Sequence, residues 1–327
     1  MELVSVSSSP ERDSAFDLLR GGAVLFIVGY YHIQEIWVWQ MPGPLAGWLA
    51  RIALALFCFL SSYLLAGRTT IVDWPSVGRF YGRRLLKIYP LYLLALSLFV
   101  VLGLCPRELF WPSAFLINTL LNWNLLTLWF VSMIFLFYLL TPLFLWRLSL
   151  RKTLGLTIAF LALLLFLRWE FHWIDPRLLP NFAAFAFGIG VYQSPSMRSW
   201  LLEARGSLKW LALAGLLVAS IFVVETPPID SNGTHITFVV LLFLGALPWL
   251  VVIARFLCRY LPKCWVEFLA TASFVLYLFH RIIYRLGDQI SSPMDPVFRQ
   301  MFYLCILLPV ALVFSYWLQR AWQRLTT

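Results

Sequence analysis

The sequence predicts an all-α fold, a polytopic transmembrane helical bundle of about ten spans. Apolar residues make up 61% of the chain, whereas soluble domains contain roughly 45–50%. Charged residues supply only 12%, about half the usual share of roughly 25%, and the mean hydropathy is +0.83. Apolar runs of about 17 to 25 residues, long enough to cross a bilayer, alternate with short polar joints. We therefore expect residues 1–327 to form a single integral-membrane domain.

The apolar runs predict ten candidate spans. In chain order they cover 18–39, 45–66, 85–105, 124–146, 153–168, 178–193, 208–224, 235–254, 266–286 and 300–318. An even number of spans places both termini on one side of the membrane. Pro180, Gly188 and Gly190 lie in the sixth run and can break it, so the expected count has a margin of one or two spans.

The distribution of lysine and arginine predicts the orientation, since these residues concentrate on the cytoplasmic side. With the polar segment 1–16 in the cytoplasm, 18 of the 25 cations fall in predicted cytoplasmic joints. The first apolar run lacks a small-residue cleavage site after it, so we interpret it as an uncleaved span. The net charge of +10 follows from this topology, and no nucleic-acid partner is needed to explain it.

His32 is the first candidate functional residue, because an ionisable group inside a span is costly and usually serves function. It follows Arg20 by twelve residues, or about 18 Å along a helix, which places it beyond the bilayer midplane. A histidine here can bond a neighbouring helix as a structural link. It can equally accept a proton from a hydroxyl or thiol at neutral pH.

Five sequence patterns occur along the chain in a fixed order. They are FDLLRGGAVLFIVGYYH (16–32), LFCFLSSYLLAGR (56–68), FYGRRLLKIYPLYLLAL (80–96), LWFVSMIFLFYLLTPLF (128–144) and ASFVLYLFH (272–280). Together they resemble the membrane-bound acyltransferase family 3 over nearly the whole chain. The fourth pattern has Ile134 and Phe135 where many members carry glutamates. The chain is therefore most similar to the branch without a soluble extracytoplasmic domain.

One departure from the family concerns the histidine of the first span. The family usually leaves ten residues between arginine and histidine, a step that returns to nearly the same helix face. Arg20 to His32 is one residue longer, so the strict register falls on Tyr31. A single-turn π-bulge near Gly29 can absorb the extra residue. We expect such a bulge to bring Arg20 and His32 to one cytoplasm-facing cavity.

The resemblance implies an O-acyltransferase, most commonly an O-acetyltransferase that uses acetyl-CoA. The implied acceptor is a hydroxyl of a cell-surface or lipid-linked carbohydrate, and the implied location is a bacterial inner (plasma) membrane, where the chain contacts lipids. No metal and no nucleic acid are expected. The implied catalytic residues are His32, Arg20 and Glu35; the donor-binding residues are Arg79, Arg83, Arg84 and Lys87; the substrate-binding residues are His280, Arg281, Trp129 and Asp17.

Each implied role has a physical rationale. Guanidinium and ammonium groups bind phosphates such as those of coenzyme A, and Arg83 and Arg84 are the strongest candidates because they precede Pro90. Asp17 can orient Arg20, and His32 can act as a general base or carry the acyl group itself. Glu35, three residues later, can orient the imidazole.

Other interpretations remain open from the sequence. The cations can simply enforce topology and contact anionic lipid, and tryptophans at interfaces form belts in most membrane proteins. About ten spans with polar groups inside also describe a transporter or flippase for a glycan precursor, although no internal repeat is evident. A non-catalytic relative is the third possibility, because the histidine is displaced by one residue.

Overall fold

The computed structural model describes residues 13–36, 43–123, 125–146, 149–203 and 233–326. The prediction of an all-α fold is confirmed, since those ranges contain helices and no β-strand. The helices are α1 Ser14–Gly29, α2 Gly43–Arg68, α3 Trp74–Val101, α4 Phe110–Ala114, α5 Trp129–Leu145, α6 Leu150–Phe171, α7 Leu178–Gln193, α8 Pro195–Glu203, α9 Gly233–Leu257, α10 Lys263–Ser291, α11 Pro296–Phe302 and α12 Leu308–Thr326. Short 3₁₀ segments cover Tyr31–Ile36 and Arg107–Leu109, and a π-helical segment, Tyr303–Leu307, joins α11 to α12.

Six helical stretches within the described ranges are long and apolar enough to cross a membrane. They are α2, α3, α6, α9, α10 and the continuous stretch 296–326, and α5 and α7 are shorter apolar helices. The chain is therefore an integral membrane protein. The predicted seventh span, 208–224, lies outside the described residues. The count of ten spans and the cytoplasmic location of both termini stay predictions.

The sixth predicted span is not broken at Pro180, Gly188 or Gly190, because α7 runs without interruption from Leu178 to Gln193. Pro180 occupies the first turn, where a helix needs no backbone N–H from it. Gly188 instead allows α7 to pack closely on α2: a Cβ at this position would lie 2.5 Å from the carbonyl oxygen of Phe59. The glycine is required by helix packing and does not interrupt the helix.

The predicted π-bulge in the first span is also wrong. Helix α1 ends at Gly29, and Tyr30 leaves the helical conformation with φ −129° and ψ −67°. The Tyr30 N–H still donates to Phe26 O at 3.1 Å, and the chain then continues as the 3₁₀ segment. A 3₁₀ segment turns about 120° per residue, compared with 100° in an α-helix. The register therefore changes by ending one helix type and starting another.

Close packing of α1 on α10 positions the site described below. A Cβ at Gly21 would lie 2.8 Å from Leu269 Cβ, so the two helices approach closely at this point. Farther along, the Tyr284 hydroxyl of α10 donates a hydrogen bond to Val28 O at 3.0 Å. These two contacts fix the end of α1 and the 3₁₀ segment relative to α10.

Helix α3 begins at a capping box. The Ser76 N–H donates to Asp73 Oδ1 at 2.8 Å, and the Asp73 N–H donates to Ser76 Oγ at 3.2 Å. The hydrogen bonds from Ser76 lower the pKa of the Asp73 carboxyl.

Downstream, α3 continues through Pro90, so its basic residues lie on one continuous helix.

Candidate functional site

Two histidines from distant parts of the sequence are in direct contact. Nδ1 of His32, in the 3₁₀ segment, lies 2.8 Å from Nε2 of His280, in α10. The two imidazole rings are nearly coplanar, with an interplanar angle of 2° and centroids 4.9 Å apart. His280 is fully buried, whereas His32 is partly accessible. We call these two residues the histidine pair.

The hydrogen bonds of the neutral pair determine where its protons lie. Nδ1 of His280 faces the carbonyl oxygens of Tyr277 at 2.9 Å and Leu276 at 3.2 Å. Because a carbonyl oxygen only accepts, this Nδ1 carries the proton and Nε2 of a neutral His280 carries the lone pair. His32 must then donate from its own Nδ1. Nε2 of His32 therefore has the free lone pair and is the basic nitrogen. Catalytic and metal-binding histidines are oriented in the same way, by a carboxylate or carbonyl that accepts a hydrogen bond from the other ring nitrogen.

Aromatic residues of α10 hold the His280 ring in place. The Tyr277 and Tyr284 rings lie 6.0 Å and 5.7 Å from it, and the Tyr277 hydroxyl donates to Thr127 O at 2.9 Å. Residues 277, 280 and 284 are spaced by three and four, so they share one face of the helix. The buried ring has little freedom to rotate away from His32.

Three other residues that the sequence assigns to the site, Arg281, Glu35 and Trp129, have different surroundings in the structure. Arg281 follows His280 in α10 and lies within electrostatic range of both histidines. Glu35 belongs to the 3₁₀ segment, but its side chain lies outside the described residues. Trp129 is 6% exposed, and the Arg177 guanidinium, which is paired with Asp175, lies 3.8 Å from its ring centroid. One face of that indole is therefore covered by a cation.

A cavity of about 680 Å³ opens at the other end of α1. Five cations line it, and we call it the basic cavity: Arg20, Arg68, Arg84, Lys87 and Arg320. Three carboxylates also contribute to its wall, those of Asp13, Asp17 and Glu267. All five cations lie on the side that the sequence predicts to be cytoplasmic. An excess of positive charge around a cavity of this size favours an anionic ligand.

Arg20 is held at the wall of the basic cavity by Asp17. Its Nη2 donates to Asp17 Oδ1 at 3.1 Å, and the two side chains are 34% and 10% exposed. The carboxylate lies one turn earlier in α1, the spacing at which charged side chains meet on a helix. This is the arrangement proposed from the sequence, in which Asp17 orients Arg20.

The four predicted donor-binding residues of α3 separate into two groups. Arg84 and Lys87 line the basic cavity, and the Arg84 guanidinium lies 5.4 Å from the Tyr138 ring centroid. Arg79 and Arg83 are not among the lining residues. Arg83 Nε instead donates to Arg79 O at 3.3 Å on an exposed surface. Residues 84 and 87 share a helix face, and residue 83 points elsewhere.

The histidine pair and the basic cavity are separate but adjacent. Neither histidine is among the described residues that line the cavity, whereas Tyr277 is. Tyr277 therefore lines the cavity and also accepts a hydrogen bond from His280 with its carbonyl oxygen. The expectation that Arg20 and His32 share one cavity is therefore wrong: among the described residues, Arg20 lines the basic cavity and His32 does not.

Sequence reasoning missed several cavity residues. In the sequence, Arg68 ends the second pattern, Arg320 is one of many cytoplasmic cations, and Gln319 carries no signal of its own, yet all three line the cavity. These residues come from α2 and α12, and no local motif links them to Arg20. The one available signal was the spacing of polar residues 316, 319, 320 and 323 along an otherwise apolar helix.

These features define a class of protein: a helical integral membrane protein with an oriented histidine beside a cavity lined by an excess of cations. The family profile described as "Acyltransferase domain" matches residues 13–320. The chain therefore belongs to the membrane-bound acyltransferase family 3. The resemblance seen in the five sequence patterns is confirmed.

A curated relative gives a second, partial comparison. The chain is 35% identical over 109 residues to "Protein 2 in picA locus" of Rhizobium radiobacter. The alignment covers 32% of this chain and 53% of the relative, so the chain spans about half the length of the curated relative it matches. No solved structure matches the chain.

Proposed function

We propose that this acyltransferase moves an acetyl group from cytoplasmic acetyl-CoA to a hydroxyl of a cell-surface or lipid-linked carbohydrate. Family membership supports acyl transfer at a membrane. The observation that carries the chemistry is the oriented histidine pair, in which Tyr277 O, His280 and His32 form one hydrogen-bonded chain. That chain leaves a basic nitrogen at His32 Nε2.

In the proposed reaction, His32 Nε2 accepts the proton of the acceptor hydroxyl. The hydroxyl oxygen attacks the thioester carbonyl carbon, the carbon–sulfur bond breaks, and the departing thiolate takes the proton from His32 Nε2. In a second route the same lone pair attacks the thioester carbon, and the carbon–sulfur bond breaks with release of the thiolate. The acceptor hydroxyl then attacks the acyl carbon on His32, the bond to Nε2 breaks, and the hydroxyl proton passes to the thiolate. Both routes require an unprotonated Nε2.

His280 and Arg281 have supporting roles in this proposal. His280 is a positioning residue, because its hydrogen bond holds the His32 tautomer and stabilises the positive charge that develops on that ring. Arg281 lies within electrostatic range of the pair, so its charge can stabilise the oxyanion of the tetrahedral intermediate. Its charge also suits the pyrophosphate of a lipid-linked acceptor.

The basic cavity is the proposed donor site. Coenzyme A carries several phosphate charges, and Arg20, Arg84 and Lys87 line the cavity together with Arg68 and Arg320. Arginine forms paired hydrogen bonds to phosphate oxygens. In the predicted orientation this cavity opens on the cytoplasmic side of a bacterial inner membrane, and acyl-CoA is present in the cytoplasm. The thioester end then points toward Tyr277 and the histidine pair.

Mass spectrometry of surface polysaccharide tests the proposal with a His32→Ala variant. We expect the glycan to be present at normal amounts and to lack its acetyl groups. Full acetylation with normal expression of the variant would contradict a catalytic role for His32. Loss of the glycan itself would favour transport of a glycan precursor.

The matched control is His172→Asn. His172 is an exposed histidine directly after α6, and it does not line the basic cavity. Its φ of +53° is a conformation that asparagine tolerates. We expect this variant to acetylate normally. The control therefore shows whether lost acetylation is specific to His32 or follows from replacing any histidine.

A further inference from the structure

The last helix carries a polar stripe that faces the basic cavity. Tyr316, Gln319, Arg320 and Gln323 of α12 all line it. Their spacing of three, four and seven residues places them on one helix face. The donor-binding residues considered so far come from α1, α2 and α3, apart from Arg320. The stripe therefore forms part of the cavity wall, and Tyr316, Gln319 and Gln323 have no role in the proposed function.

Gln319 is the informative residue of this stripe. It is only 4% exposed, and its Oε1 atom is buried with no hydrogen-bond partner in the part of the chain that the structure describes. A buried carbonyl oxygen without a donor is unfavourable, so such an atom in a cavity wall indicates a donor supplied by the ligand. Its neighbours Tyr316 and Arg320 are instead bonded to each other, with Arg320 Nε 3.1 Å from the Tyr316 hydroxyl.

The ligand group that fits is a neutral N–H donor located between charged phosphates and a reacting carbonyl. The pantetheine arm of coenzyme A has two secondary amides in that position, and each offers one N–H. The cations of the cavity suit the phosphates, and Phe57, Phe130 and Tyr277 add aromatic residues to the lining.

We propose that Gln319 Oε1 accepts a hydrogen bond from an amide N–H of the pantetheine arm and selects donors that carry this arm. The inference rests on the proposed function, because it assumes an acyl thioester donor. The same two amides also occur in the phosphopantetheine of an acyl carrier protein. That carrier lacks the adenosine bisphosphate of coenzyme A, so the two sources can be distinguished by binding.

The experiment measures Kd on the full-length protein in nanodiscs. The ligands are coenzyme A and two analogues, each with one of the pantetheine amides N-methylated. We expect the wild-type protein to bind one analogue about tenfold more weakly than coenzyme A, the size of effect expected for one hydrogen bond to a buried group. Equal affinity for all three ligands overturns the proposal, and this result needs no variant.

A Gln319→Met variant completes a double-mutant cycle, because methionine keeps the length of the side chain without the acceptor. It should bind coenzyme A about tenfold more weakly and should no longer discriminate between the ligands. Unchanged binding of adenosine 3′,5′-bisphosphate, which has no pantetheine arm, is expected from a folded variant. Discrimination that persists in Gln319→Met overturns the assignment.

Ser315→Ala is the matched control. Ser315 lies one turn before Gln319 in α12 and is also buried with an unpartnered hydroxyl in the described residues, but it does not line the cavity. We expect it to keep the wild-type affinities. Binding of phosphopantetheinylated acyl carrier protein in place of coenzyme A, with the same N-methyl discrimination, supports Gln319 and overturns acyl-CoA as donor. Binding of neither donor overturns the proposed function.

Discussion

The two ends of α1 use different physical means to bind their proposed ligands. At the Arg20 end, several partly exposed charges surround a cavity, and each supplies only part of the proposed attraction for an anionic donor. At the other end, one chain of directed hydrogen bonds runs from Tyr277 O through fully buried His280 to His32. Distributed charge tolerates the loss of a member, whereas a directed chain does not. The difference predicts a steep gradient of mutational effects along α1.

The largest effect is expected from replacing the basic nitrogen itself. His32→Gln removes the general base or the acyl carrier, and we expect kcat to fall by about 10²- to 10⁴-fold. Donor affinity should be nearly unchanged, because His32 does not line the basic cavity. Acyl transfer from radiolabelled acetyl-CoA and a separate Kd for coenzyme A measure the two quantities. A large loss of coenzyme A affinity would show that the two ends are not separate sites.

The next effect is expected from the positioning histidine. His280→Ala leaves His32 without an acceptor for its Nδ1 proton, so the ring loses its fixed tautomer, and we expect activity to fall by about 10- to 100-fold. The change should appear in kcat and in the pH profile of kcat, with little change in KM for the donor. A variant with an unaltered pH profile and a raised KM would place His280 in substrate binding instead.

A smaller effect is expected at the basic cavity. Arg84→Gln should raise KM for acetyl-CoA by about tenfold, because one charge-assisted phosphate contact is lost while other cations remain. The effect should weaken at high salt, since ions screen partly exposed charges. Arg83→Gln is the matched control: this neighbour in α3 bonds Arg79 O on an exposed surface. Equal effects of the two variants would contradict the assignment of Arg84 to the donor site.

The smallest effect is expected from the link between α1 and α10. Tyr284→Phe removes the hydroxyl that donates to Val28 O at 3.0 Å, and one such hydrogen bond contributes about 0.5–1.5 kcal/mol. We expect a modest fall in thermal stability and a fall in kcat of less than about tenfold. A loss as large as that of His280→Ala would show that the hydroxyl acts in the chemistry.

The same contrast explains what the sequence could predict. Periodicity and apolar run lengths predict the all-α fold and the approximate positions of the long described helices, because they report local burial. The short helices α4 and α8 lie outside the predicted spans. His32, Arg20, Asp17, Arg84 and Lys87 were identified because motifs and charge mark them locally. Their precise neighbours were not predictable, since helix faces are determined only when the helices pack.

The histidine pair is the main case that required the structure. His32 and His280 are 248 residues apart in the sequence, so no spacing rule connects them, and His280 was assigned to the acceptor. The change of register after Gly29 was expected as a π-bulge, but it occurs as a 3₁₀ segment. Both forms solve the same problem of one extra residue, and the sequence alone does not select between them.

The proton positions in the histidine pair are the most direct test of the mechanism. The chain has only four histidines, so ¹⁵N-histidine NMR of the full-length protein in nanodiscs can be assigned with single histidine variants. We predict that His280 and His32 are both neutral with the proton on Nδ1, and that His32 Nε2 has the chemical shift of an unprotonated nitrogen. A proton on His32 Nε2 at neutral pH would contradict the role of this nitrogen as base or nucleophile.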